Sequence, residues 1–176
     1  TGRLGIGDSP TAPADEGAPE IVIAIDASYS MTHRVVHSRL DLARQQARRI
    51  IDALPQHSTV TLVALGRRLR VLIDAVPLDK ARLTEALSDL RPTDEAMDWP
   101  ANLRALAERL KRSGAGERAC YVLTDGQAVD WSAPDPAHVE AMAALQDVAR
   151  VTLVQAPASG AANVAITRFE PIDTTA

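Results

Sequence analysis

Two short runs of this chain are almost continuously apolar, and both end in aspartate: EIVIAID, reaching Asp26, and ACYVLTDG, in which Asp125 precedes the glycine. A strand with one wet face alternates apolar and polar residues, so an unbroken run reads as a strand covered on both faces. Two such strands call for helices packed above and below one sheet. The residues after the first run sharpen the question. Ser28 and Ser30 follow Asp26 at alternate positions, so a carboxylate and two hydroxyls cluster where a buried strand ends.

The segments between these runs fit the same frame. From Ser38 to Leu54, Leu40, Ala43, Ala47, Ile50 and Leu54 recur at steps of three and four, one face of a helix stopped by Pro55. STVTLVALG and LRVLIDA are strands separated by a short basic turn, predicting a hairpin with the later strand at a sheet edge. Asp79 caps a helix carrying Leu83, Ala86, Leu87 and Leu90 that ends before Pro92. Asp98, with Pro100 behind it, opens a helix bearing Leu103, Leu106 and Leu110 and closed by Gly114. Asp135 and Pro136 open another, and RVTLVQ and NVAITRF supply the last strands. This order predicts a three-layer, doubly wound α/β fold of Rossmann-like type: a mostly parallel sheet with one antiparallel edge strand.

Composition bounds the function classes. The 176 residues allow one domain, and with only 3% aromatic residues its core must be built from Ala, Val, Ile and Leu. A net charge of −4 offers no footprint for nucleic acid or an anionic membrane. The single cysteine, Cys120, excludes an internal disulfide, and no apolar run reaches the roughly 18 residues that span a bilayer. Residues 1–19, rich in Gly, Pro, Ala and Asp, read as a linker or flexible arm ahead of a domain over 20–157. Because the chain opens on Thr1, it is expected to be a segment of a longer protein.

In doubly wound sheets, ligands bind beyond the carboxyl ends of the strands, where the winding reverses. If the two acidic strands are neighbours there, Asp26, Ser28, Ser30 and Asp125 form an all-oxygen site. Hard oxygen ligands without His or Cys suit Mg²⁺ or Mn²⁺. Each residue taken singly is more simply a cap or turn residue; the combination at two strand ends favours a metal site.

IAIDASYSM together with YVLTDG resembles the von Willebrand factor type A domain, over about residues 21–154, and within it the bacterial branch of membrane-anchored aerotolerance-type proteins. The resemblance implies a metal-ion-dependent adhesion site. In it Ser28 and Ser30 bind a divalent cation directly, Asp26 and Asp125 bind it directly or through water, and a partner protein's carboxylate completes the sphere. It implies an adhesion or assembly module rather than an enzyme, and a location beside a membrane in the full-length protein without insertion by this segment. Residues 158–176 would then be a final strand and the start of a following β-rich module.

The family's threonine stands in a Gly-Gly-Thr-Asp-like stretch. The matching stretch, EAMDWPANL, places Met97 there, just before Asp98. A thioether is a poor ligand for a hard cation. Thr93, four residues earlier, reaches the site only if the loop is rearranged, and Asp98 is more simply a helix cap. Either a weaker metal site survives with water in the gap, or the domain is metal-free and offers a plain contact surface.

Other signals have simpler readings. GDS at 7–9 and DPAH at 135–138 resemble blocks of small esterases, but no strand leads into Ser9, and Asp135 and His138 fit a helix start; a hydrolase is the third reading. His33 and His37 lack the glutamate of a zinc protease. Arg39, Arg44, Arg48 and Arg49 read as the solvated face of the first helix, and RRLR at 67–70 as charge protecting an edge strand. Trp99 and Trp131 are either partner anchors or core residues.

Overall fold

The computed structural model of the protein describes residues 17–32, 38–126, 135–156 and 165–166. His33, His37, Trp131 and the GDS triplet lie outside them, as does most of the two terminal segments. The strands are β1 (Glu20–Asp26), β2 (Thr59–Leu65), β3 (Arg70–Pro77), β4 (Arg118–Thr124), β5 (Arg150–Gln155) and the two-residue β6 (Ala165–Ile166). The helices are α1 (Arg39–Ala53), α2 (Lys80–Asp89), α3 (Trp99–Lys111) and α4 (Pro136–Gln146).

The sheet order is β3-β2-β1-β4-β5-β6. β1 pairs in parallel with both β2 and β4, and β4 with β5. β3 is the expected antiparallel edge, and β6 adds a short antiparallel pairing at the opposite edge. The winding direction therefore reverses between β1 and β4, the two acidic strands.

Alternation along the strands divides the core in two. Ile21, Ile23 and Ile25 of β1 join Leu40, Ala43, Ala47 and Ile51 of α1 and Leu83 and Leu87 of α2. Val22 and Ala24 face the other way, onto Leu103, Leu106 and Leu110 of α3 and Ala141 and Leu145 of α4. The strand is buried along its whole length because each face has its own helical layer. Removing one of the fully buried leucines would cost about 2–5 kcal/mol, since neighbours close such a cavity only in part.

The helix starts follow the capping chemistry of the sequence. Ser38 and Asp41 form a reciprocal capping box on α1, and Asp79, Asp98 and Asp135 accept amide protons at the starts of α2, α3 and α4. Such a cap contributes about 1 kcal/mol.

Two expectations for α1 are corrected. Ile51, at 1% exposure, occupies the buried face, and Ile50 is only partly covered. Exposed Arg48 and Arg49 keep the solvated reading, whereas Arg39 and Arg44 do not. Arg44 donates to the carbonyls of Leu87 (3.0 Å) and Leu90, closing the end of α2, and also pairs with Asp41. Arg48 reaches Ser88 Oγ at 2.9 Å, and Arg39 turns toward Asp125. Helical periodicity locates the buried stripe but not the neighbouring elements that long side chains on its margin can reach.

The edge hairpin carries a bulge. Between the pairs Leu62↔Ile73 and Val60↔Val76, β3 has one residue more than β2. Ala75 takes up the excess at φ 41°, and its amide donates to Thr61 Oγ1 at 3.1 Å. A left-handed conformation costs an L-residue about 1–2 kcal/mol, which glycine avoids. Ala75→Gly is therefore expected to stabilise the domain by about 0.5–1 kcal/mol, net of the added flexibility of the unfolded chain. Thr61→Val should cost about 1 kcal/mol by removing the acceptor. Urea melts check both, and a lower midpoint for Ala75→Gly would refute the strain at this bulge.

Candidate metal centre

The β1–β4 pairing builds the site. Register runs from Glu20↔Arg118 to Ile25↔Leu123, so the next residues of each strand, Asp26 and Thr124, meet at the carboxyl edge. Thr124 Oγ1 donates to Asp26 Oδ2 at 3.0 Å. Two further donors hold Oδ1: the Ser28 amide at 2.9 Å and the Ser28 hydroxyl at 2.6 Å. Ser30 Oγ lies 3.2 Å from Ser28 Oγ, at the start of a short 3₁₀ turn over Tyr29–Thr32. Asp26, Ser28 and Ser30 thus lie side by side, and Asp125 follows Thr124 just past the end of β4.

Asp125 is aimed by the turn that follows β4. Gly126 adopts φ 62°, a conformation that favours glycine, and a Cβ there would crowd the Gln155 side chain at 2.7 Å. Gln155 Nε2 in turn donates to the Asp125 carbonyl at 3.2 Å. The Asp125 carboxylate is buried, with 1% of its side chain exposed, and Arg39 Nη1 donates to its Oδ2 at 2.6 Å.

The surroundings of Asp26 perturb its carboxyl. Burial pushes the Asp26 carboxyl up from its ordinary value of 3.8, and the Asp125 charge adds a smaller push in the same direction. Hydrogen bonds from Ser28 and Thr124 pull it down without cancelling the burial. A carboxylate in this position favours either a proton or a cation.

The oxygen atoms fit a small hard cation. Neighbouring ligands of an octahedral Mg²⁺ stand about 2.9 Å apart, as its bond length near 2.0–2.1 Å requires. The Asp26–Ser28 and Ser28–Ser30 oxygen separations of 2.6 and 3.2 Å bracket that spacing. Each serine hydroxyl can donate its proton and keep lone pairs for a metal. Among the described residues, no three His, Cys, Asp or Glu side chains gather as a metal cluster, so hydroxyls must contribute to any such site.

The loop before α3 is tied to the serine loop through the backbone. The amide and Oγ1 of Thr93 donate to the Ala27 carbonyl at 2.7 and 3.2 Å. Met97 packs instead with the Trp99–Leu103 side of the core, its Sδ 3.6 Å from Asn102 Nδ2. Asp98 is the α3 cap, accepting from the Ala101 amide at 3.0 Å. Thr124, Arg39 and the backbone role of Thr93 were missed by sequence reasoning. Thr124 stood in the quoted LTDG string, and Arg39 carried a signal in being a cation on the first turn of a helix.

The remaining candidates take structural roles. Trp99 is a core residue at 4% exposure, stacked on the buried His138 ring with centroids 6.1 Å apart. Asp135 caps α4, accepting from the Ala137 amide at 3.1 Å, as a helix start rather than part of a catalytic pair. The Cys120 thiol is buried, which pushes its pKa up to about 12 and leaves it protonated rather than nucleophilic.

Comparison with known proteins agrees with this architecture. The family model for the von Willebrand factor type A domain matches residues 21–127. The conserved hypothetical protein BatB from Bacteroides thetaiotaomicron is similar in structure, with a TM-score of 0.62 at 22% identity, over 85% of this chain and 75% of that one. An aerotolerance-related membrane protein from Bacteroides fragilis gives a TM-score of 0.62 at 20% identity, over 82% of this chain and 74% of that one. The vWF domain of the type V pili tip protein Mfa5 from Porphyromonas gingivalis gives 0.54 at 21% identity, over 62% of this chain and 38% of that one. No curated protein sequence matches. Both acidic strands and the DASYS loop fall within the matched segment, and the chain belongs to the von Willebrand factor type A domain family.

Proposed function

We propose that this domain is a protein-binding module of the adhesion or assembly kind, whose carboxyl-edge site takes Mg²⁺ or Mn²⁺. The carrying observation is the buried Asp26 carboxylate with the Ser28 and Ser30 hydroxyls ranged beside it at 2.6 and 3.2 Å spacing. Asp26, Ser28, Ser30 and Asp125 would hold the ion. A bound dication would supply positive charge to draw in a partner's carboxylate. Tyr29, 64% exposed between the two serines, offers an aromatic contact to such a partner. Met97 leaves the family's threonine position without a hard ligand, and Thr93, anchored on Ala27, is the hydroxyl best placed to take its part.

The protein's setting follows the same reasoning. Similarity to an aerotolerance-related membrane protein supports the membrane-anchored branch for this domain and a position beside a membrane in a longer protein. Among the described residues, no helix is long and apolar enough to cross a membrane. A role as a binding module rather than an enzyme accords with the pili tip protein among its structural relatives.

A second reading has its own observation. The Arg39–Asp125 pair at 2.6 Å already neutralises one carboxylate of the site. A metal-free domain using this edge as a contact surface would bind its partner equally well in chelator.

Thermal melts with Mn²⁺ separate the two, because a ligand held only by the folded state raises the melting temperature. Wild type is expected to gain several degrees at saturating Mn²⁺, Asp26→Ala none, and Thr93→Val less than wild type, while Met97→Leu matches wild type. Identical responses of wild type and Asp26→Ala would exclude this metal site.

The raised Asp26 pKa gives a further prediction. A folded-state pKa above the unfolded value contributes stability that is present in full below the unfolded value and is lost as pH rises through the folded one. In chelator at neutral pH the ionised Asp26 therefore weighs against folding. Asp26→Asn should melt higher there, with the gap closing as pH falls toward the ordinary carboxylate range. A gap that widens on acidification would contradict the burial effect.

A further inference from the structure

Arg39 is in an unfavourable place for a cation. It is the first residue of α1, where the positive end of the helix dipole repels positive charge. The capping of that helix does not use it. Ser38 Oγ accepts from the Asp41 amide at 3.1 Å and donates to Asp41 Oδ2 at 2.6 Å, and Asp41 supplies the negative charge that suits the first turn. Yet the Arg39 side chain is only 21% exposed and ends 2.6 Å from a carboxylate with 1% exposure. A carboxylate so buried favours a compensating cation, and here the chain supplies one from within.

From this geometry, and resting on the metal reading above, we propose that Arg39 is an internal counter-cation that competes with the divalent ion for Asp125. A guanidinium and a dication on one carboxylate would stand a few ångströms apart in a poorly solvated site and repel each other. The site therefore has two states. In one, Arg39 neutralises Asp125; in the other, the metal does so and the guanidinium swings away. Arg39 thereby sets the cation concentration at which the site fills, and withholds the partner-binding form until that concentration is reached.

Calorimetric titration of Mn²⁺ into the chelator-stripped chain tests this. Arg39→Gln is expected to bind Mn²⁺ roughly tenfold tighter than wild type, the equivalent of one partly buried charge contact. Arg39→Lys, which keeps the charge, should stay near wild type. Arg48→Gln, which removes an equal charge from the exposed part of α1, should change affinity less than about twofold, because solvent screens the distant charge.

If Arg39→Gln binds Mn²⁺ no tighter than wild type while both bind, competition is wrong and the metal site survives. If neither binds, the metal reading fails and the competition falls with it. If Arg39→Gln is unfolded in chelator, the proposal requires Mn²⁺ to restore its fold in place of the lost guanidinium, and failure to do so overturns it.

Discussion

The pairing of β1 with β4 is the contact on which the rest depends. It is the only place in the described sheet where two parallel neighbours are wound outward in opposite directions. Helices leave such a junction toward opposite faces, so no crossover covers the carboxyl edge there. The uncovered edge receives Asp26 from one strand and Thr124 and Asp125 from the other. Both strands must be apolar on both faces to sit at the centre of three layers, which is why each acidic end follows an unbroken apolar run.

Placing two carboxylates at the rim of an apolar core is costly, and the surrounding groups show how the cost is met. Asp26 accepts three hydrogen bonds, from the Ser28 amide and hydroxyl and from the Thr124 hydroxyl, yet burial still dominates its proton affinity. Asp125 is handled differently, by a charge brought from the start of α1. Hydroxyls stabilise the Asp26 charge without neutralising it. A guanidinium neutralises its partner. One edge thus combines a carboxylate held only by hydrogen bonds from amide and hydroxyl groups with another paired to a guanidinium.

Much of the fold was legible because it is encoded locally. The caps at Ser38, Asp79, Asp98 and Asp135, the stops near Pro55 and Pro92, and the hairpin through RRLR each depend on residues within a few positions of one another. The adjacency of the two acidic strands was legible too, since strand order in a doubly wound sheet places like-patterned central strands side by side. Arg39 and Arg44 were misread because periodicity counts solvent-facing positions and ignores what a long side chain can touch. Met97 was matched to the threonine position by spacing from α3, whereas hydrogen bonds to Ala27 bring Thr93 against the serine loop.

The amino-acid sequence by itself determined the buried strands, the capped helices and the set of oxygen donors, because apolar periodicity and capping act over distances shorter than one element. Only the tertiary structure decided which cation reaches Asp125, which threonine lies against the serine loop and where the β3 edge bulges. Those outcomes depend on contacts between residues as far apart as Arg39 and Asp125 or Thr93 and Ala27, and no local pattern carries that information.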